Sequence, residues 1–146
     1  MKGLVQRVQY AKCVVNGKTT GEIEKGFLLF LGVTHSDTKQ SVEKLIEKVH
    51  KLRIFEDENG KTNLSLDDVN GKVLVISQFT LYADTSRGAR PGFENAAKAT
   101  HANELYEYFL EKWKSLYGEV QHGIFGADMK ISLLNDGPFT VMLEVE

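Results

Sequence analysis

The chain has 146 residues, of which 42% are hydrophobic and 26% charged, ordinary values for one soluble globular domain with a core of its own. No stretch approaches the ~18 uninterrupted apolar residues of a membrane helix. The N-terminus turns polar too early for a signal peptide, and the single Cys13 excludes an internal disulfide framework, so a cytoplasmic location is expected. The net charge of −2 argues against a broad nucleic-acid surface and leaves Lys12, Lys18 and Arg87–Arg90 as candidates for a local basic patch.

Leu4–Tyr10 and Lys12–Val15 read as strands running into Asn16-Gly17, a strong hairpin-turn dipeptide. Phe27–Val33 is a nearly continuous apolar run, the mark of a buried strand. Over Asp37–Arg53 the residues Val42, Leu45, Ile46, Val49 and Leu52 share one helical face, with Asp37 as N-cap and Gln40 three positions on as its partner. Glu56–Gly60 lacks the full calcium-loop pattern and reads as a solvated turn. Val73–Phe79 is a second buried strand. A second helix spans Ala99–Tyr117 with Leu105, Phe109, Trp113 and Leu116 as its stripe and Gly118 as its stop. Val120–Phe125, Met129–Leu134 and Thr140–Val145 complete the strands. The expected fold is α+β: a single domain over residues 1–146, with a largely antiparallel sheet and two main helices. So few helices leave sheet surface uncovered, which predicts sheets packed together in a homodimer.

Familiar catalytic equipment is missing. His35, His50, His101 and His122 show no metal-ligand spacing and read as surface residues, with His50 on the polar side of its helix. Phosphate-cradling loops, dinucleotide fingerprints and nucleophile elbows are absent. Two segments are odd. Ser77-Gln78-Phe79-Thr80-Leu81-Tyr82-Ala83 carries a buried strand into hydroxyls and an amide, either as a strand surfacing from the core or as a strand end presenting donors to a developing oxyanion. Asn135-Asp136-Gly137-Pro138 reads as a hairpin turn or as a rigid element built for function.

These two segments, with Asp84–Phe93, Phe139-Thr140, the opening Gln6-Arg7-Val8 and Leu52–Asp57, resemble the D-aminoacyl-tRNA deacylase family over essentially the whole chain. Phe139 stands where a β-branched residue is common and Gly92 where a serine is common. The resemblance implies hydrolysis of the ester joining a D-amino acid, or misplaced glycine, to the 3′-terminal ribose of tRNA. It implies a homodimer in which Gly137 and Pro138 of one subunit, in cis geometry, enter the pocket of the other. Ser77, Gln78, Phe79 and Thr80 would then line the pocket floor, while Arg7 and Met129 would steady the Gly-Pro turn. No metal or organic cofactor is implied.

A threonine nucleophile needs an adjacent base, and the motif offers Thr80 none. The substrate's own 2′-hydroxyl, already beside the ester, makes RNA-assisted hydrolysis the favoured expectation, with the N–H groups of Phe79 and Thr80 as oxyanion donors. The rivals are an ester hydrolase with Thr80 as true nucleophile and a non-enzymatic dimeric ligand-binding module.

Overall fold

The computed structural model describes residues 1–146. In chain order it contains β1 (Lys2–Val15), β2 (Lys18–Ile23), β3 (Gly26–Gly32), α1 (Lys39–Lys51), β4 (Phe55–Glu56), β5 (Thr62–Leu64), β6 (Lys72–Ser77), a 3-10 turn at Phe79–Tyr82, α2 (Ala99–Tyr117), β7 (Gln121–His122) and β8 (Lys130–Glu144). No helix is long and apolar enough to cross a membrane.

The two expected strands at the N-terminus are one, β1, which bends through irregularities rather than breaking. Asn16 and Gly17 both take positive φ, 50° and 78°, the combination that suits the twist of a two-residue hairpin. β1 pairs antiparallel with β2, β3 and β8, whereas β3–β6 and β6–β7 are parallel. The sheet is therefore mixed. The parallel β3–β6 pair needs a crossover, and α1 lies within it.

Alternation along β3 and β6 feeds two cores. Phe27, Leu29, Leu31, Val73 and Val75 join Leu45, Phe109 and Trp113 beneath the helices. Leu28, Leu74 and Ile76 point the other way and meet Val8, Ala11, Cys13 and Ile23. Met129, Ile131 and Leu133 from the start of β8 pack against that second core. Both faces being covered explains why these strands read as continuous apolar runs rather than alternating ones.

Several expectations are corrected. Helix α1 is capped by Thr38, whose N–H donates to Ser41 Oγ at 3.0 Å, not by Asp37 with Gln40. Asp37 is buried and serves elsewhere: its carboxylate accepts from the Met1 ammonium and from Thr34 N, both at 2.8 Å. Helix α2 has the expected bounds, but Leu116 is 51% exposed and the buried row includes Ala102, Tyr106 and Leu110. His50 is not a free surface residue. Its ring stacks on Tyr117 at 3.5 Å and Nε2 lies 3.1 Å from Asp67 Oδ2, because the aromatic end of α2 covers that position of α1. The Glu56–Gly60 run is a turn, with Asp57 Oδ1 accepting from Asn59 N and Lys61 N.

The C-terminal strands also differ. Val120–Phe125 shrinks to the two residues of β7, because the chain leaves the sheet beyond buried Gly123. Met129–Leu134 and Thr140–Val145 belong to one 15-residue strand, β8. Both flanks of Asp136–Phe139 pair with the same strand, Asn135 opposite Val8 and Thr140 opposite Gln6. The segment is thus a large bulge on β8 rather than a hairpin turn.

The Met1–Asp37 pair has side chains 0% and 2% exposed. Removing one partner of a buried pair costs about 3–5 kcal/mol, since the remaining charge is stranded. Asp37→Asn is expected to lose that much stability in denaturant melts; a loss below about 1 kcal/mol would show that water reaches the ammonium and that the pair is not a fixed part of the fold.

Candidate active site

β6 ends where its neighbour does. Gln78 N donates to Leu31 O at 2.8 Å, the last tie to β3, and the chain then tightens into the 3-10 turn at Phe79–Tyr82. Above this end lies a cavity of about 540 Å³, walled by Ser77, Gln78 and Phe79 on one side and by Ala102, Phe125 and Met129 on the other. The first N–H groups of a helical turn have no partner within it, and Phe79 and Thr80 open this one.

The strand end is held from below. The buried Tyr106 hydroxyl donates to Val75 O at 2.9 Å, and Gly123 N donates to the same oxygen at 3.2 Å. Burial pushes the Tyr106 phenol well above its ordinary range, so it stays neutral and acts as a strut rather than an acid or base. Sequence reasoning misses Tyr106. Its only signal is its place one residue after Leu105 and four after Ala102, on the buried side of α2.

Thr80 is exposed, and its Oγ1 accepts from Gln78 Nε2 at 2.5 Å. An amide N–H cannot take a proton from a hydroxyl, so this contact orients Thr80 without activating it. Asp128 is the one ionisable residue lining the cavity, and its carboxylate, 83% exposed, is 3.1 Å from Lys130 Nζ. No histidine lines the cavity. Apart from that carboxylate at the lip, the site offers hydroxyl, amide and main-chain groups, all neutral.

Gly137 and Pro138 lie elsewhere. They sit on the β8 bulge, and their peptide bond is cis. Arg7, 6% exposed, holds them. Its Nε donates to Asp136 O at 2.9 Å, an Nη donates to Ile54 O at 2.6 Å, and the guanidinium covers the Phe139 ring at 5.0 Å. Gly137 takes φ 128°, and a Cβ there would meet the Arg7 Nη2 at 3.0 Å. Arg7 therefore steadies the turn. Met129 does not do so within this chain: it lines the cavity, where Gly123 leaves room for its sulfur.

The cavity lies at one end of the β1–β8 pair and the turn near its middle. Ile131 of the cavity faces Cys13 across the ladder, and Arg7 is six residues up β1, about 20 Å at ~3.3 Å per residue. Of the candidate basic residues, Lys12 and Lys18 sit on the β1–β2 hairpin, whereas Arg87 and Arg90 sit on the loop after the 3-10 turn.

The family model described as D-Tyr-tRNA(Tyr) deacylase matches residues 4–144. The chain belongs to that family. Among its relatives, the D-aminoacyl-tRNA deacylase of Fusobacterium nucleatum is 53% identical over 146 residues, covering 100% of this chain and 97% of the relative. That of Pseudoalteromonas translucida is 52% identical, covering 99% and 100%. Among solved structures, the c-Myc DNA unwinding element binding protein superposes with a TM-score of 0.94 at 38% identity, over 100% of this chain and 99% of that one. A probable eukaryotic D-amino acid tRNA deacylase, at 16% identity, shares the fold with a TM-score of 0.87 over 99% and 98%. The resemblance read from the Ser77–Phe93 and Asn135–Thr140 segments is thereby established as family membership.

Arg7→Lys keeps the charge but loses the planar fork that reaches two carbonyls. Hydrogen bonds from a charged donor are worth about 1.5–3 kcal/mol each, so a stability loss of about 2–3 kcal/mol is expected. Amide exchange at Gly137 and Phe139 should accelerate with it. Unchanged exchange there would show that the turn stands without Arg7.

Proposed function

We propose that the chain is a D-aminoacyl-tRNA deacylase, which hydrolyses the ester between a D-amino acid and the 3′-terminal ribose of tRNA and also clears glycyl-tRNA. The observation that carries this beyond family membership is the chemistry of the cavity: apart from the solvent-exposed Asp128 its lining is neutral, and Thr80, next in the chain after the lining residue Phe79, has Gln78 Nε2 and no base on its hydroxyl. Such a site suits a substrate that brings its own proton-transfer group, and the 2′-hydroxyl beside a 3′-ester is one.

In this reading, water attacks the ester carbonyl carbon as a new C–O bond forms. The N–H groups of Phe79 and Thr80 stabilise the oxyanion. The 2′-hydroxyl relays the proton from the attacking water to the 3′-oxygen as the old C–O bond breaks, leaving a free amino acid and a tRNA with a free 3′-hydroxyl. Ser77 and Gln78 shape the floor and hold Thr80 in place.

The chirality filter in this reading is the Gly137–Pro138 turn of a second copy. One chain cannot bring its own turn to its own cavity along a rigid strand pair, but a two-fold pair can exchange them. An open edge supports this: β8 pairs only with β1, and Tyr10 and Leu134, facing each other across that pair, are 46% and 47% exposed, with Met142 at 42%. Unpaired strand edges beside apolar side chains are surfaces that a second copy covers. Main-chain atoms pressed against the α-carbon would admit hydrogen on that side and exclude anything larger. Such a sieve accepts any D-side chain, rejects L-residues and cannot reject glycine.

Three substrates test the reading together: D-alanyl-, L-alanyl- and glycyl-tRNA. Cleavage of the first and third at least about a hundredfold faster than the second is expected. With the terminal 2′-hydroxyl replaced by hydrogen, D-alanyl-tRNA should lose far more rate than Thr80→Ala costs on the normal substrate. A covalent acyl-Thr80 adduct, or full activity on the deoxy substrate, would favour the threonine nucleophile instead.

A further inference from the structure

The rim of the cavity carries side chains that ester hydrolysis does not use. Phe79 is 55% and Phe93 38% exposed, and their rings meet edge to face with centroids 5.0 Å apart. Between them runs a loop closed at its base, where Asp84 and Gly92 exchange two backbone hydrogen bonds of 2.8 Å each. One stem of the loop follows from the turn that begins at Phe79, and the other leads directly into Phe93.

The loop presents Arg87 and Arg90, both exposed and neither a member of any ion pair in the chain. Its own carboxylate, Asp84, is occupied by Ser86 N at 2.9 Å. Residues 84–98 hold Arg87, Arg90 and Lys98 against Asp84 and Glu94, a small local positive excess on a chain whose net charge is −2. A half-exposed aromatic pair beside unpaired guanidinium groups is the combination that binds unpaired nucleotides. Any base can stack on an aromatic ring, but only an unpaired base offers its face, and the guanidinium fork matches phosphate oxygens.

We infer that Phe93, with the exposed edge of Phe79, is a stacking platform for an unpaired RNA nucleotide, and that Arg87 and Arg90 hold the phosphates on either side of it. The inference rests on the proposed function for what lies next to that nucleotide, namely the esterified terminal nucleoside in the cavity. The platform sets the register in which the single strand crosses the rim. It takes any base, because stacking carries no hydrogen-bond code.

The test separates RNA binding from catalysis. Binding is measured by fluorescence anisotropy with two uncharged RNA hairpins, one blunt and one with a four-nucleotide 3′ overhang. The wild-type protein should prefer the overhang by about tenfold, the scale of one base stacked on an aromatic ring. Phe93→Ala should erase that preference and Phe93→Trp should restore it. Replacing Arg87 and Arg90 by Ala should flatten the dependence of log affinity on log salt by roughly 0.7 for each phosphate that is no longer neutralised. In parallel, hydrolysis of a D-aminoacyl-adenosine, which has no nucleotide to place on the platform, should be unchanged in Phe93→Ala, while KM for the D-aminoacyl-tRNA rises about tenfold at constant kcat. Equal binding of the two hairpins by the wild type, or a preference that survives Phe93→Ala, would overturn the platform. A Phe93→Ala loss that is equal on the adenosine ester and the tRNA would overturn it too, by making Phe93 a structural support. Failure of the wild type to cleave the adenosine ester would count against the proposed function, while the hairpin preference would still decide the platform.

Discussion

A guanidinium buried in the middle of a β-strand has to be met by acceptors on every side, and Arg7 is met from two separate parts of the chain. Asp136 O comes from the β8 bulge and Ile54 O from the segment leaving α1. The Phe139 ring closes over it. A bulge of four unpaired residues on an edge strand, Asp136–Phe139, would otherwise have little to define it, because its own ladder is interrupted. Satisfying one buried cation therefore fixes where Gly137 and Pro138 point. The same requirement ties the end of α1, and so the helical layer, to the strand that carries the turn.

The cavity follows the opposite electrostatic logic. Its wall is apolar, its polar groups are neutral, and the one carboxylate at its lip faces a lysine in solvent. A site of this kind exerts no demand on protonation state and relies on fixed dipoles. Its precision comes from the layers beneath: Tyr106 braces Val75, and Val75 is two residues from Ser77. Position, rather than acid–base strength, is what this architecture supplies.

Much of this is legible in the letters because local chemistry and tertiary structure agree. Helix α2 begins and ends where its stripe and Gly118 place it, and the Asn16-Gly17 turn is set by residues that tolerate positive φ. Ser77–Thr80 stands out because polar residues there continue a fully apolar strand. What is not legible depends on partners distant in sequence. Asp37 looks like a helix cap until the Met1 ammonium, 36 residues away, claims its carboxylate. Asn135–Pro138 has the composition of a hairpin turn, and only the pairing of both its flanks with β1 makes it a bulge. Met129 and the turn lie close in sequence yet apart within one chain, because the strand between them leaves Met129 at the cavity. Phe93 closes the Asp84–Phe93 segment that carries the resemblance, but the letters do not show that its ring meets that of Phe79.

Turn and cavity, held apart within one chain, would complete each other between two copies of it. Complementation measures this most directly. One variant carries Gly137→Ala with Pro138→Ala; the other carries Gln78→Ala with Thr80→Ala, and each alone is expected to be strongly impaired in deacylating D-aminoacyl-tRNA. Mixed and reannealed, a heterodimer has one site with both defects and one with neither. Each heterodimer should recover up to about half the activity of a wild-type dimer, one intact site of two. Heterodimers confirmed by native mass spectrometry that recover nothing would contradict it, by showing that each turn serves its own chain.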